Sequence, residues 1–502
     1  MKEIQPSKFF SDKNRNFLLF FLLITGLVLQ VYWAAHALSD GKFFLIHEDE
    51  VIYYCSAKLF AETNSIQAES CIEEKVSSVG NMNWYGAGYH VIYGTLFKIF
   101  GEHPAAFPWF HAVLGFASIV IILMFPIQKE LRLVAAVAVL FSHQFNVYKF
   151  TFFPENLVFF LATVLTWILI LLYRSQGSDI RKFYAAFILL AILFMLVRVS
   201  FIFWLAGPIA FAANRKQLIK RTLVFIGGLG LSLFYQKVFI APPYAPAMQK
   251  VDYLFSLDLV DFMVQTTNST LSNIGHFLTP RASVLRLLLL YVVGAIALFW
   301  FHRSRFTLAC LLIAGTLILV MAAFYYIDDF YFVKQTGMLI PLLVVGVIVG
   351  SKKVWVPFVL LFMVLITFPS PFRKVNEAIA TGRSAFQHYK NHQSFQNALS
   401  QIRQQIGTDA AVILWDYREY DYGYSAEALL PFSTLGKNPI MYTTNIVDSG
   451  ATQEERFKMY GRLPIDYILS RHSIALTGAK EVYTNEFYHL YRLTSKQPQV
   501  YP

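Results

Sequence analysis

The chain has 502 residues, of which 56% are hydrophobic and only 15% charged, and its formal net charge is +11. An ordinary soluble protein is about 25% charged, and a chain with a mean hydropathy of +0.49 would expose more apolar surface than water tolerates. This excludes a plain cytosolic enzyme, a disordered protein and a disulfide scaffold, and leaves the position of the basic charges to be explained.

A bilayer core needs roughly 20 apolar residues per helix. Eleven segments are read as spans: 17–38, 105–125, 133–149, 155–173, 183–197, 199–213, 222–240, 284–301, 306–326, 332–350 and 354–369. The chain thus reads as a polytopic α-helical membrane protein. The first segment is too long for a signal-peptide core and lacks a small-residue cleavage site, so it reads as a retained anchor. The stretch 183–213 is either one long helix or two packed around Arg198. With the N-terminus inside, alternate loops collect 17 Lys and Arg against four acids. That asymmetry orients the protein in an inner or plasma membrane with a cytoplasmic N-terminus. It also gives no support to nucleic-acid binding. An odd number of spans puts the C-terminus outside, and counting 183–213 as two keeps the alternation.

Three segments fall outside: the acidic loop 39–104, the loop 241–283 and the tail. The tail, 372–502, holds 14 Lys and Arg and 12 acids, a soluble composition. It reads as helix (391–406), strand (Ala411–Trp415), strand (Pro439–Tyr442), helix (453–460), strand (Ile465–Leu469) and strand (Phe487–Leu493). A mixed pattern of this kind implies a small extracytoplasmic α/β domain beside a membrane domain over 1–371.

Directly after the first span comes His47-Glu48-Asp49-Glu50. Apolar positions at helical spacing then run from Val51 to Ala61, as in an amphipathic helix lying in the interface. The acids also suit the start of that helix, where the helix dipole favours negative charge. The stretch 87–100 reads as a second surface helix ending at Gly101, a favoured C-terminal residue. Before it, Trp84 and Tyr85 suit an interface belt. Cys55 and Cys71 share this loop and are a candidate disulfide in an oxidising compartment, although Cys55 equally fits the apolar face of the first helix. No His/Cys cluster has metal-site spacing.

Asp49-Glu50 with Tyr53 and Ala57 resembles the "DE..Y...A" signature in the first outside loop of GT-C glycosyltransferases. The branch is family 39 and its relatives, which holds protein O-mannosyltransferases and the lipid A aminoarabinose transferase. Tyr85-Gly86-Ala87-Gly88-Tyr89-His90 through Leu96-Phe97-Lys98-Ile99-Phe100-Gly101 is similar to that family's "PPLYY...LFKLFG" stretch, with the Pro pair replaced by Gly86-Ala87-Gly88. Phe332-Val333-Lys334 and Leu339-Ile340-Pro341 are similar to the late "R..LP.LP" helix, with Lys334 in place of Arg.

The resemblance implies a GT-C-like membrane domain that transfers a sugar from a polyprenyl-phosphate donor to an acceptor hydroxyl on a glycan, lipid or protein, usually with inversion. It implies Asp49 as general base and Glu50 as its partner. Glu155, at the outside end of the fourth span, orients the acceptor or holds a candidate divalent metal (Mg or Mn) with Asp49. An acid following Pro154 is also an ordinary helix start. The departing phosphate needs cations: Lys334 first, then Arg198 and Arg281. Snorkelling to headgroups is the competing reading of such residues, and Arg198 is costly in an apolar stretch unless paired. Tyr53, Trp84, Tyr85, His90 and His111 are candidate substrate contacts. The alternatives are a transporter or flippase of lipid-linked glycans, or a polymerase of them. Repeated halves would favour transport, and a large late loop a polymerase; neither is evident.

Overall fold

The computed structural model describes residues 12–38, 48–64, 66, 71–72, 86–101, 106–151, 153–175, 179–240, 250, 253, 256–277, 296, 300, 304–324, 337–350, 359, 361–362, 364–365, 372–380, 393–407, 410, 412–414, 440–442, 466–470, 473–475, 478–485 and 488–494. The chain divides into two compact units. One comprises Met1–His36, Pro108–Phe150 and Pro154–Glu377; the other comprises Ala37–Phe107, Thr151–Phe153 and Ala378–Pro502.

The first unit is helical. It contains α1 (Asp12–Leu38), α4 (Ala106–Leu123), α5 (Lys129–Leu140), α6 (His143–Val147), α7 (Glu155–Arg174) and α8 (Asp179–Met195). A 3-10 helix (Val199–Phe211) and α9 (Arg215–Tyr235) come next, followed by α10 (Leu259–Phe277), α11 (Arg305–Phe324) and α12 (Leu339–Gly350). Among the described residues, α1, α4, α7, α9 and α11 are long and apolar enough to cross a membrane. The protein is an integral membrane protein of several helical spans.

Packing in α1 shows why. Phe17, Phe20, Phe21, Ile24, Val28 and Val31 are exposed on one side, while Leu19, Leu23, Gln30 and Trp33 are buried on the other. An apolar outward face of this size fits lipid and not water. Close approach needs small residues when lipid surrounds the helices. A Cβ on Gly26 would come within 2.2 Å of Leu140 Cδ2, so glycine lets α1 approach the end of α5 without displacing the Leu140 side chain.

The segment 183–213 is two helices. The chain turns at Leu196–Val197, and Arg198 adopts an extended conformation ahead of the 3-10 helix. Arg221 Nη1 donates to the Pro208 carbonyl at 2.6 Å, which pins that helix to α9. Asn214 caps α9 by accepting from Gln217 N (3.0 Å), and Gln217 Oε1 accepts from Ala213 N (3.0 Å), a reciprocal cap.

The expected span 133–149 is broken and does not form one helix. Its first part, α5, has 12 residues, about 18 Å at 1.5 Å per residue, too short for the bilayer core. The break is local chemistry: Ser142 Oγ donates to Val139 O (2.8 Å), and Asn146 Nδ2 donates to Leu140 O (3.0 Å) and Ser142 O (2.8 Å). These side chains satisfy the carbonyls where α5 ends. The spans 284–301 and 354–369 fall almost wholly outside the described residues.

In the second unit, α2 (Glu48–Thr63) packs on α3 (Ala87–Phe100). Gly101 ends α3 at φ +79, a conformation that glycine adopts without a Cβ penalty, as the sequence predicts. The unit also holds α13 (Gln393–Ile406) and six short strands. These are β1 (Cys71–Ile72), β2 (Val412–Leu414), β3 (Ile440–Tyr442), β4 (Tyr467–Ser470), β5 (Ala479–Thr484) and β6 (His489–Leu493). Their order is β1-β3-β2-β4-β6-β5. The β1/β3, β3/β2 and β2/β4 pairs are parallel, and the other two antiparallel. Two features depart from expectation. β5 is an added strand, exposed along most of its length. β1 comes from the first outside loop, so the sheet of the tail takes its edge strand from 370 residues earlier in the chain (Cys71 opposite Met441). The expected helix 453–460 lies outside the described residues.

Candidate functional site

Asp49 and Glu50 lie in the first turn of α2, where the unpaired backbone N–H groups and the helix dipole favour negative charge. Only their backbone is described. One and two turns on, Tyr53 and Ala57 are fully buried. Tyr53 meets Tyr89 edge-on at 4.8 Å and Phe153 at 5.7 Å, and Tyr89 stacks on Tyr93 at 4.4 Å. Paired aromatic rings of this kind add stability beyond the area they bury, so α2 is held firmly against α3. Glycine makes the contact close: a Cβ on Gly94 would lie 2.7 Å from Phe60 Cβ.

His90 is on the buried side of α3. Its Nδ1 lies 3.4 Å from Gly86 O, and its Nε2 has no partner among the described residues. Burial pushes the imidazole pKa down to about 4, partly offset by the Gly86 carbonyl. His90 is therefore neutral at physiological pH. Tyr53 and His90 are thus both buried within this unit. Trp84 and Tyr85 lie outside the described residues, as do the side chains of Cys55 and Cys71 and therefore their candidate disulfide.

In the helical unit, two expected site residues come together. Arg198 Nη2 donates to Glu155 Oε1 at 2.7 Å, and the two side chains are only 8% and 6% exposed. Local sequence explains the placement. Pro154 starts α7, so Glu155 is in its first turn; Arg198 sits in the break between α8 and the 3-10 helix. The second carboxylate oxygen of Glu155 has no partner among the described residues, and neither do Asn156 Nδ2 or Ser200 Oγ. Such buried orphans call for a ligand, a water or a catalytic role. His111 is fully buried on α4, with its ring 6.3 Å from Phe110. Lys334 and Arg281 lie outside the described residues.

Among the described residues no three His, Cys, Asp or Glu are grouped as metal ligands. Glu155 fits a divalent ion poorly, because Arg198 already matches its charge and an ion at the second oxygen would sit beside a guanidinium.

A second polar cluster escapes the sequence reading. Lys149 Nζ donates to Gln30 Oε1, and Gln30 Nε2 donates to Asn146 Oδ1 at 2.7 Å. All three are buried, and Lys149 also lies over the Phe145 ring at 4.1 Å. Gln30 sits in the middle of a largely apolar span, a signal that could have marked it.

No protein-family model matches the chain, and no curated protein matches it. Among solved structures, it is similar to the oligosaccharyltransferase of Archaeoglobus fulgidus. The complex of that protein with Zn and sulfate is 12% identical at a TM-score of 0.50, over 90% of this chain and 68% of that one. The apo form is 10% identical at 0.51, over 93% and 70%. ArnT from Cupriavidus metallidurans bound to undecaprenyl phosphate aligns at 10% identity and 0.48, over 96% and 98%. The oligosaccharyltransferase matches show that this chain shares the fold of that protein.

Proposed function

We propose that this protein is a membrane glycosyltransferase that moves a sugar from a polyprenyl-phosphate donor to an acceptor hydroxyl on the extracytoplasmic side. The observation that carries the reading is Asp49 in the first turn of α2, followed on that helix by Tyr53 and Ala57 at the spacing of the GT-C signature, in a chain that shares the oligosaccharyltransferase fold. The excess of basic residues in alternate loops supports an inside N-terminus and an outside Asp49.

In this mechanism the Asp49 carboxylate takes the proton of the acceptor hydroxyl as its oxygen attacks the anomeric carbon. The bond from that carbon to the donor phosphate breaks with inversion, and the phosphate leaves with the bonding pair. Lys334 and Arg281 meet its negative charge. Glu50 positions Asp49. Arg198 fixes the Glu155 carboxylate, so that its second oxygen accepts from an acceptor hydroxyl. The tail 372–502 serves as an extracytoplasmic α/β domain.

The test is Asp49→Asn, assayed as release of polyprenyl phosphate from membranes supplied with a radiolabelled polyprenyl-phosphate sugar. Sugar transfer is expected to be abolished while the protein remains folded in the membrane. Full activity in this variant would remove the proposed base.

A further inference from the structure

The segment 241–283, an aqueous outside loop by its sequence, contains the 19-residue helix α10. Its surface divides into three sectors. The sector facing the protein is largely polar: Ser269 is 0% and Asn273 2% exposed, with Phe262, Thr266 and Thr270 beside them. These residues cover the C-terminal end of α11. Asn273 Nδ2 donates to Ala322 O at 2.9 Å. Lys250 Nζ donates to Ala323 O (3.0 Å), to Phe324 O (3.3 Å) and to Ser269 Oγ. The last carbonyls of a helix have no partner within it, and a cation there is favoured by the helix dipole. α10 and Lys250 therefore finish α11.

The second sector is exposed and apolar. Leu259, Val260, Met263, Val264, Leu271 and Ile274 are 49% to 73% exposed and, at roughly 100° per residue, span about 140° of the helix, with the exposed Thr267 among them and no charged residue. The third sector, Asp261, Gln265, Asn268 and Ser272, is exposed and polar. A helix in water buries its apolar side against the protein. α10 does the reverse, and separates its apolar and polar exposed sides.

That division is the one expected of a helix lying in the plane of a membrane surface. The depth is set by α11, which is long and apolar enough to cross a membrane and itself exposes Leu319 at 70%. The capped end is the one remote from Arg305, so by the charge asymmetry it is the outside end. We propose that α10 lies in the outer membrane–water interface, with its apolar sector in the acyl chains of the outer leaflet, tethered there by the C-terminal carbonyls of α11.

The test places single nitroxide labels at 260, 264 and 271, and at 261, 265 and 272, in the full chain with its three cysteines replaced by alanine. The protein is reconstituted in nanodiscs of phosphatidylethanolamine and phosphatidylglycerol. The ratio of oxygen to nickel-chelate accessibility is expected to be several-fold higher at the first three positions. A photoreactive benzoylphenylalanine at Val264 in the unaltered cysteine background is expected to form lipid adducts, which keeps the test independent of cysteine removal. High nickel accessibility at 264 and 271 would mean water there; low accessibility to both reagents with protein adducts would mean a protein partner. Either result overturns the proposal.

Discussion

Arg198→Met is expected to cost far more than an ordinary substitution. The mutation removes the cation 2.7 Å from Glu155 Oε1 and leaves a carboxylate only 6% exposed. Breaking a buried pair from one side costs about 3–5 kcal/mol. The carboxylate has no reserve contact, since its second oxygen already lacks a partner among the described residues. Glu155→Gln costs less, about 2–3 kcal/mol, because the amide oxygen can still accept from the guanidinium. In the double variant both charges are gone and only an unsatisfied amide remains, about 1–3 kcal/mol. The double variant is thus expected to be more stable than Arg198→Met alone, with a coupling of roughly 2 kcal/mol or more. Steric-trapping measurements of unfolding free energy in bicelles would read all four proteins. Additivity within about 0.5 kcal/mol, or an Arg198→Met cost below about 1 kcal/mol against the expectation for a buried pair, would refute the reasoning.

Two further outcomes concern the unit that carries Asp49. Burial lowers the His90 pKa to about 4 from an unfolded value near 6.5. Between these values the unfolded chain binds a proton that the folded chain refuses, so this contribution is complete above pH 6.5 and is lost as pH falls toward 4. It amounts to about 3 kcal/mol at its fullest; unfolding measured at pH 7.5, 5.5 and 4.5 should show a slope that His90→Phe removes, and an unchanged slope would exclude His90 as its source. Gly94→Ala forces a Cβ to within 2.7 Å of Phe60 Cβ, an overpacking of about 1–3 kcal/mol; adding Phe60→Ala should recover most of the loss, and no recovery would place the strain elsewhere.

The legible parts of this protein depend on near neighbours in the chain. Apolar runs mark α1, α4, α7, α9 and α11. Gly101 marks the end of α3, and the acids before Val51 mark the start of α2, because capping and dipole effects act within one helical turn. The interruption at 141–142 was not legible, because an apolar run reads as continuous whatever its few polar side chains do. Ser142 and Asn146 end α5 by turning back onto carbonyls that a hydropathy window does not see.

The sequence by itself determined the class of the protein, its spans in outline and the acidic motif at the head of α2, since composition and spacing carry those directly. Only the tertiary structure decided partners. Glu155 and Arg198 were separate candidates for separate tasks until the fold brought them together across 43 residues. Cys71 gave no sign that its segment would pair with the strand at Met441. In α10 the three sectors can be drawn from the sequence, but not which of them faces the protein. A charge, a strand edge or a helix face names the kind of group it needs, and long-range packing alone chooses which one it meets.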